Sequence, residues 1–318
     1  MGNVLALLGS PSFVPERDIP NLTDKVVVVT GGNTGIGYQT VKQLLLKNAK
    51  VYIAGRSAER VAAAIESLET GTNGKKAIFL QLDLSDLRSV RKAAESFLEK
   101  EGRLDILFNN AGVFSGPPET LTAQGLDLEF GTNVLGHFFF TQLLLPALTK
   151  SSEYNKVPAR VINTSSFFHP FAPGPGVDFV TVKGGPERDA WVKKAGVNFG
   201  APMGLYGQSK FGNILVSNYW AKTYSDVLVA CAVHPGWIKS DITRHQPGWQ
   251  QRFIYFSQYP TPMGALTQLW AGTVATPAQI TGEYLVPWGQ VGKPDKRTTN
   301  GKLEEEVIGF LKEQIQGF

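Results

Sequence analysis

Tyr206 and Lys210 stand four residues apart in Tyr206-Gly207-Gln208-Ser209-Lys210, a spacing that puts a phenol and an ammonium on one helical face. A phenol ordinarily ionises with a pKa of about 10, and a cation beside it favours the phenolate, so such a pair suits proton transfer to and from a substrate oxygen. Any solvated helix can carry the same two residues. The pair gains weight only if the rest of the chain builds a place for the reaction.

Upstream, Val26-Val27-Val28-Val29 is a β-branched run of the kind that forms a strand buried on both faces of a parallel sheet. It leads into Thr30-Gly31-Gly32-Asn33-Thr34-Gly35-Ile36-Gly37, after which residues 38–48 read as a helix. In a strand, glycine turn and helix unit, the glycines permit a tight turn and the helix N-terminus faces a pyrophosphate. Gly31, Asn33, Thr34, Gly35, Ile36 and Gly37 are therefore expected to bind a dinucleotide. The spacing is G-x-x-x-G-x-G, a departure from the commoner G-x-G-x-x-G. After the next strand, Val51-Tyr52-Ile53-Ala54, an acid would select the ribose 2′-hydroxyl of NAD. The chain instead has Gly55-Arg56-Ser57 and no acid before Glu59, which points to the 2′-phosphate of NADP, the alternative being that Arg56 is a solvated loop charge.

A helix over residues 58–69 and a strand over 77–82 follow, then Asp83, placed either to accept from an adenine amino group or to cap the helix that begins near Asp86. A helix over 88–100 precedes a strand over 104–108 and then Asn109-Asn110-Ala111-Gly112, whose small residues let backbone lie against a ribose or nicotinamide. This alternation predicts an α/β fold: a single doubly wound parallel sheet, Rossmann-type, with helices on both faces.

Composition narrows the alternatives. With 42% hydrophobic residues in 318, the chain can bury a large core. One cysteine, Cys231, excludes an intrachain disulfide and a Cys-rich zinc site. Histidines 137, 169, 234 and 245 lack metal-ligand spacing and read as packing or hydrogen-bonding residues, so no metal is expected. The net charge of +4 is scattered, which argues against a nucleic-acid partner. The single cysteine and the absence of a secretory signal favour a cytoplasmic location. Val4-Leu5-Ala6-Leu7-Leu8 is far short of the roughly 20 apolar residues that span a bilayer. Met1-Gly2 has Ala6 where the myristoylation pattern takes Ser or Thr. Residues 1–22 are expected to form an arm packed on the domain or on a neighbouring subunit; loose contact with a membrane surface is the alternative.

The ordered set Thr30-Gly31-x-x-x-Gly35-Ile36-Gly37, Asn109-Asn110-Ala111-Gly112, Asn133, Ser165-Ser166, Tyr206-x-x-x-Lys210 and Pro235-Gly236 resembles the short-chain dehydrogenase/reductase family over roughly residues 23–290. Asn33-Thr34, Asn133-x-x-Gly136-His137-Phe138 and His234-Pro235-Gly236-Trp237 are most similar to its retinol-dehydrogenase-like branch, including fungal members. The resemblance implies that Tyr206 is the general acid for carbonyl reduction and the general base for alcohol oxidation. Lys210 would lower its pKa and bond the nicotinamide ribose. Ser166 would hold the substrate oxygen while Ser165 serves the strand end, and Asn133 would anchor a water linking Lys210 to solvent. Asn110, Ala111 and Gly112 would line the cofactor. Pro235, Gly236, Ile238 and Ser240 would meet the nicotinamide carboxamide through the Ile238 backbone and a hydroxyl; Ser240 stands where Thr is commoner and keeps the donor and acceptor. The hydride comes from or goes to the cofactor.

The implied function is an NADP(H)-dependent oxidoreductase acting on an apolar aldehyde, ketone or alcohol. A catalytically idle dinucleotide-binding sensor or scaffold is the alternative, and the intact set Asn133, Ser166, Tyr206 and Lys210 argues against it. Residues 167–205 are longer than is common in the family and hold Phe167-Phe168-His169-Pro170-Phe171, a Pro173-Gly174-Pro175-Gly176 turn and Trp191. They are expected to wall an apolar pocket, the alternative being a loop packed on itself. Residues 241–263, with Trp249, Phe253, Tyr255, Phe256 and Tyr259, read as a mobile substrate lid or as an amphipathic helix packed on the core. A helix over 264–275 and a last strand over 282–287 complete the domain. The tail, residues 291–318, is polar and turn-rich and then helical, with Leu303, Val307, Leu311 and Ile315 four apart; it is expected to dock on the domain or on a second subunit, leaving a homodimer open.

Overall fold

In the computed structural model, which describes residues 11–114, 116–197, 199–238 and 259–318, the valine run forms β1 (Val26–Thr30). Val26 and Val28 enter one apolar layer, Val27 and Val29 the other, so the strand is buried on both sides. The other strands are β2 (Lys50–Gly55), β3 (Ile78–Gln81), β4 (Ile106–Asn109), β5 (Ala159–Thr164), β6 (Leu228–Val233), β7 (Tyr284–Val286) and β8 (Gln290–Val291). They form one sheet in the order β3-β2-β1-β4-β5-β6-β7-β8. Pairing is parallel from β3 through β7, and the order turns back at β1 and β4, which opens a crevice at the carboxyl ends of those strands.

Helices α1 (Gly35–Leu46), α2 (Ala58–Gly71), α3 (Leu87–Leu98), α4 (His137–Asn155), α5 (Pro186–Ala195), α6 (Gly200–Thr223), α7 (Thr261–Thr273) and α8 (Gly301–Gln314) surround the sheet. The apolar residues of α1, α2 and α7 share one layer, and those of α3, α4, α6 and α8 share the other. Local chemistry sets the helix starts. The Ser57 side chain accepts from the Arg60 amide, Asp86 from Arg88, and Asn300 from Lys302 and Leu303.

The expected doubly wound parallel sheet is present, and β8 extends it antiparallel to β7 after the Pro287-Trp288-Gly289 turn, where Gly289 has φ +74°. Other expectations need correction. Residues 167–205 are not one loop. They contain a short 3₁₀ turn at His169–Phe171, a helical turn at Phe179–Val182, all of α5 and the first residues of α6. Helix α7 begins at Thr261, inside the segment read as a lid; residues 241–258 of that segment lie outside the described residues. The tail docks on its own chain: Phe310 of α8 packs against Phe130 and Phe179 with ring centroids 6.5 and 5.1 Å apart, and Arg91 of α3 donates to the Phe318 carbonyl. Of the N-terminal arm, Phe13, Ile19 and Leu22 are buried in the layer of α1 and α7. Among the described residues no helix is long and apolar enough to cross a membrane.

Candidate active site

The glycine turn sits where the strand order reverses. Gly31 has φ +64°, a conformation glycine adopts without strain, and its amide donates to the Ala54 carbonyl at 2.8 Å. A Cβ on Gly37 would lie 2.3 Å from the Gly31 carbonyl oxygen and 2.6 Å from Asn110 Nδ2, so the first turn of α1 closes onto the loop only with glycine there. Gly35, at φ +57°, would place a Cβ in open space. Thr34 makes no side-chain cap to α1, and the first turn carries no acid. The positive end of the helix dipole is therefore not answered by a carboxylate from that turn. Backbone that approaches this closely, next to a helix N-terminus open on its outer side, fits a pyrophosphate. Asn33 borders Gly55, whose Cβ would lie 3.6 Å from its Oδ1. Arg56 is next along, exposed, with its carbonyl accepting from Gln81 Nε2 at 2.8 Å. Asp83 is not a helix cap: its Oδ1 accepts from the Ser85 amide and hydroxyl at 3.0 and 2.6 Å, and Asp86 caps α3.

One hydroxyl ties the two cofactor-side loops together. Thr30 Oγ1 accepts from the amides of Asn110 and Ala111, both at 2.9 Å, and lies 2.9 Å from His137 Nε2. His137 Nδ1 is 3.0 Å from the Asn133 carbonyl, which can only accept, so the proton sits on Nδ1 and the Thr30 hydroxyl donates to Nε2. Asn110 Nδ2 also donates to the Thr30 carbonyl at 2.9 Å. Asn133 lies in a π-helical turn, Gly131–Gly136, that feeds α4. Its side chain accepts from the Val113 amide at 2.9 Å and donates to the Val113 carbonyl at 3.0 Å and to Ser209 Oγ at 2.9 Å.

The proton-transfer candidates converge behind Gly112. A Cβ on Gly112 would lie 3.2 Å from Lys210 Nζ and 3.4 Å from Asn133 Oδ1, so the bare Cα leaves the lysine accessible from the loop side. Tyr206, Lys210, Ser166 and Asn133 are all buried, and Ser166 is close enough to the Tyr206 phenol to favour its ionisation. Ser165 faces elsewhere, donating to the Lys210 carbonyl at 2.7 Å. Lys210 Nζ donates to the Thr164 carbonyl at 2.9 Å and stands 5.6 Å from the Tyr206 ring centroid. Burial pushes the phenol above its usual range, opposed by the neighbouring Ser166 side chain and reinforced by the charge of buried Glu129. Burial pushes the Lys210 ammonium down to about 8, opposed by Glu129. This differs from the expectation that Lys210 lowers the pKa of Tyr206: in the protein alone desolvation prevails, and the group that eases ionisation is Ser166.

Aromatic rings close the other side. Phe114 meets Tyr206 edge-on at 4.5 Å, Phe168 lies 6.2 Å from Tyr206, and Trp237 stands 5.1 and 5.8 Å from Phe167 and Phe168. Pro235 and Gly236, the latter at φ +96°, precede Ile238, and Ile238 and Ile36 both crowd Gly264 of α7, each 2.9 Å from where its Cβ would be. Ser240 lies outside the described residues, as does His245. Sequence reasoning missed Phe114, two residues past Asn109-Asn110-Ala111-Gly112, where an aromatic after a cofactor-side loop was the available signal. It also missed the fully buried pair of Arg188 and Asp127, 2.7 Å apart. Asp127 accepts from the Phe130 amide at 2.8 Å and Arg188 donates to the Thr181 carbonyl at 3.1 Å, so the pair fastens residues 167–205 to the entrance of the π turn that carries Asn133.

A protein-family model described as short chain dehydrogenase matches residues 25–176. Over 324 residues, covering all of both chains, the sequence is 44% identical to a short-chain dehydrogenase/reductase of Armillaria gallica. It is 36% identical over 251 residues to human retinol dehydrogenase 11, covering 78% of this chain and 72% of that one. Among solved structures, the Pseudomonas aeruginosa RhlG/NADP active-site complex is similar with a TM-score of 0.61 at 27% identity, covering 85% of this chain and 96% of that one. The glycine turn at the strand reversal and these likenesses across the full length lead to one conclusion: the chain belongs to the short-chain dehydrogenase/reductase family of oxidoreductases.

Proposed function

We propose that the protein transfers a hydride between NADP(H) and the carbonyl or alcohol carbon of an apolar aldehyde, ketone or alcohol, with Tyr206 as general acid and base. The observation that carries this reading is the buried cluster of Tyr206, Ser166 and Asn133, with a desolvated Lys210 one helical turn from the phenol. Ser166 holds the substrate oxygen beside the phenol. The phenol gives its proton to that oxygen in reduction and takes it back in oxidation, and Lys210 restores the proton. Asn133, whose carbonyl also receives the His137 Nδ1 proton, anchors the water of the relay. When bound, the nicotinamide gives or accepts the hydride.

Gly31, Asn33, Thr34, Gly35, Ile36 and Gly37 hold the pyrophosphate, Arg56 the 2′-phosphate, and Asp83 the adenine. Asn110, Ala111 and Gly112 border the nicotinamide ribose with Tyr206 and Lys210, and Pro235, Gly236, Ile238 and Ser240 border the nicotinamide. The NADP named with the RhlG structure accords with Arg56 standing where NAD-selective folds keep an acid. Residues 23–290 form the catalytic domain, and residues 167–205 and 241–263 wall the substrate. The aromatic shell of Phe114, Phe167, Phe168 and Trp237 supports an apolar substrate.

The test is NADPH oxidation, followed by absorbance, against a panel of aldehydes and ketones, with alcohols and NADP⁺ for the reverse direction. Tyr206→Phe should bind NADPH as the native protein does and lose turnover by about 10²-fold or more. Turnover undiminished in that variant, or an absence of NADPH binding in the native protein, would remove the proposal. Because Lys210 is held down to about 8, reduction should decline and oxidation rise as pH passes upward through that value. Parallel pH profiles for the two directions would contradict the proton-return role of Lys210.

A further inference from the structure

The backbone that carries Ser166 is held from the far end of the chain. His169 Nδ1 lies 2.7 Å from the Ser166 carbonyl, and His169 Nε2 lies 2.9 Å from the amide nitrogen of Asp295. An amide N–H only donates and a carbonyl only accepts. The histidine is thus neutral, with its proton on Nδ1, and joins Ser166 to the tail through one fixed tautomer. Next to Asp295, the Arg297 guanidinium places all of its N–H donors. Nε and one Nη2 proton go to the two Asp295 carboxylate oxygens, each at 3.0 Å. The remaining three go to the carbonyls of Pro170, Ala172 and Gly174 at 2.9, 2.8 and 2.9 Å. The loop so gripped lies directly on the helix of Tyr206: a Cβ on Gly207 would be 2.8 Å from both the Phe168 carbonyl oxygen and the Ala172 amide nitrogen.

We propose that His169 and Arg297 are positioning residues that hold the Ser166 hydroxyl against the Tyr206 phenol, so that the tail segment from Asp295 to Arg297 is part of the active site. Neither residue touches substrate. The tail fixes the backbone from Ser166 to Gly174 on one side while Gly207 receives it on the other, leaving Ser166 no freedom to turn from the phenol. The proposal rests on the reading of Ser166 and Tyr206 as the reacting pair. A planar guanidinium is required, because a lysine ammonium has three donors and cannot reach three carbonyls and a carboxylate together.

A double-mutant cycle separates positioning from simple fastening of the tail. Arg297→Ala is expected to lower kcat about 10- to 100-fold while the NADPH dissociation constant stays within about twofold, since misplacement of a reacting group by an ångström costs rates of that order. Arg297→Lys should not restore it. In a Ser166→Ala background the same Arg297→Ala change should cost less than about threefold, because there is no hydroxyl left to misplace. Equal losses in both backgrounds, or NADPH binding lost with turnover, would overturn the proposal. Should Arg297→Ala not fold, His169→Leu and His169→Asn give the same comparison. Asparagine retains a donor for the Ser166 carbonyl and is expected to keep near-native kcat, and a leucine variant as active as the asparagine one would overturn the proposal.

A readout independent of turnover is the NMR shift of the Tyr206 ring carbon bearing the hydroxyl, which reports the influence of the neighbouring Ser166 on the phenol in the absence of substrate. It should move in Arg297→Ala as it does in Ser166→Ala, and move no further in the double variant. An unmoved shift overturns the positioning alone. A shift that moves in a protein whose turnover is indifferent to Tyr206→Phe would leave the positioning in place and remove the proposed function.

Discussion

His137 shows what a single buried side chain can decide. It is 3% exposed, and its two nitrogens join the hydroxyl before the glycine turn to the carbonyl of Asn133. The Thr30 hydroxyl already accepts two amides, so it cannot accept a third proton from Nε2. Protonating His137 therefore breaks the junction of both cofactor-side loops, and burial holds the imidazole down to about 4. The folded value lies below the unfolded one of about 6.5, so this group's contribution is fully present above that pH and is lost as pH falls toward 4. The gap corresponds to about 3 kcal/mol. His234, held down to about 4 by burial, acts in the same window. Melting temperatures between pH 7 and pH 4 should fall steeply for the native protein and less steeply for His137→Gln. An identical slope in the variant would show that another group sets the acid sensitivity. At this scale the sequence was informative about identity and less so about state. That Tyr206, Lys210, Ser166 and Asn133 would share one buried region was legible from spacing and resemblance. The direction of the Tyr206 and Lys210 shifts was not, because desolvation depends on what the fold packs around them.

At the scale of elements, the glycines separate positions that need a bare Cα from those that do not. Gly37→Ala would drive a methyl into the Gly31 carbonyl and should cost on the order of 1–3 kcal/mol or more, together with NADPH affinity, since the loop must shift to make room. Gly309, exposed in α8 with nothing within 4 Å of its Cβ position, should instead gain about 0.5–1 kcal/mol on substitution by alanine. Chemical denaturation of the two variants measures both, and a stabilised Gly37→Ala would refute the close packing of turn on helix.

The pair of Arg188 and Asp127 predicts a larger loss. Arg188→Leu leaves the Asp127 carboxyl buried without its cation, which burial already pushes above the carboxylate range, and should cost about 3–5 kcal/mol by the same measurement. The β1, glycine turn and α1 unit was readable because its pattern is local. Arg188 and Asp127 lie 61 residues apart, and a lone charge in a sequence does not name its partner. Helix α4 was hidden for a different reason. It is buried on most sides and contains Pro146, so its apolar residues show no clear face from which a period could be read.

For the molecule as a whole, the doubly wound sheet and its two helical layers followed from alternation, the strand order was given by the structure alone, and the last 28 residues were the least legible part. A stripe of Leu303, Val307 and Leu311 says that α8 has an apolar face and not what it covers. The structure places that face on the layer of α3, α4 and α6, next to the loop that Arg297 grips. Leu303, Val307, Ile308, Phe310 and Leu311 are all buried there. At about 1.5–3 kcal/mol for each such side chain, their burial amounts to roughly 8–15 kcal/mol before chain entropy is charged against it. Folded domains retain only about 5–15 kcal/mol in total, so the helix cannot be an accessory. The ion pair of Lys222 and Glu304 is a minor part of the docking, since the lysine is 65% exposed and such pairs contribute about 0–1 kcal/mol. A chain ended at Asn300 should therefore be insoluble or lack a cooperative melting transition, whereas Lys222→Ala should melt within a few degrees of the native protein. A truncated chain that stayed soluble and melted cooperatively near the native temperature would mean that the sheet and its two layers are stable without α8, and that the tail matters to the molecule only through its hold on the loop of Ser166.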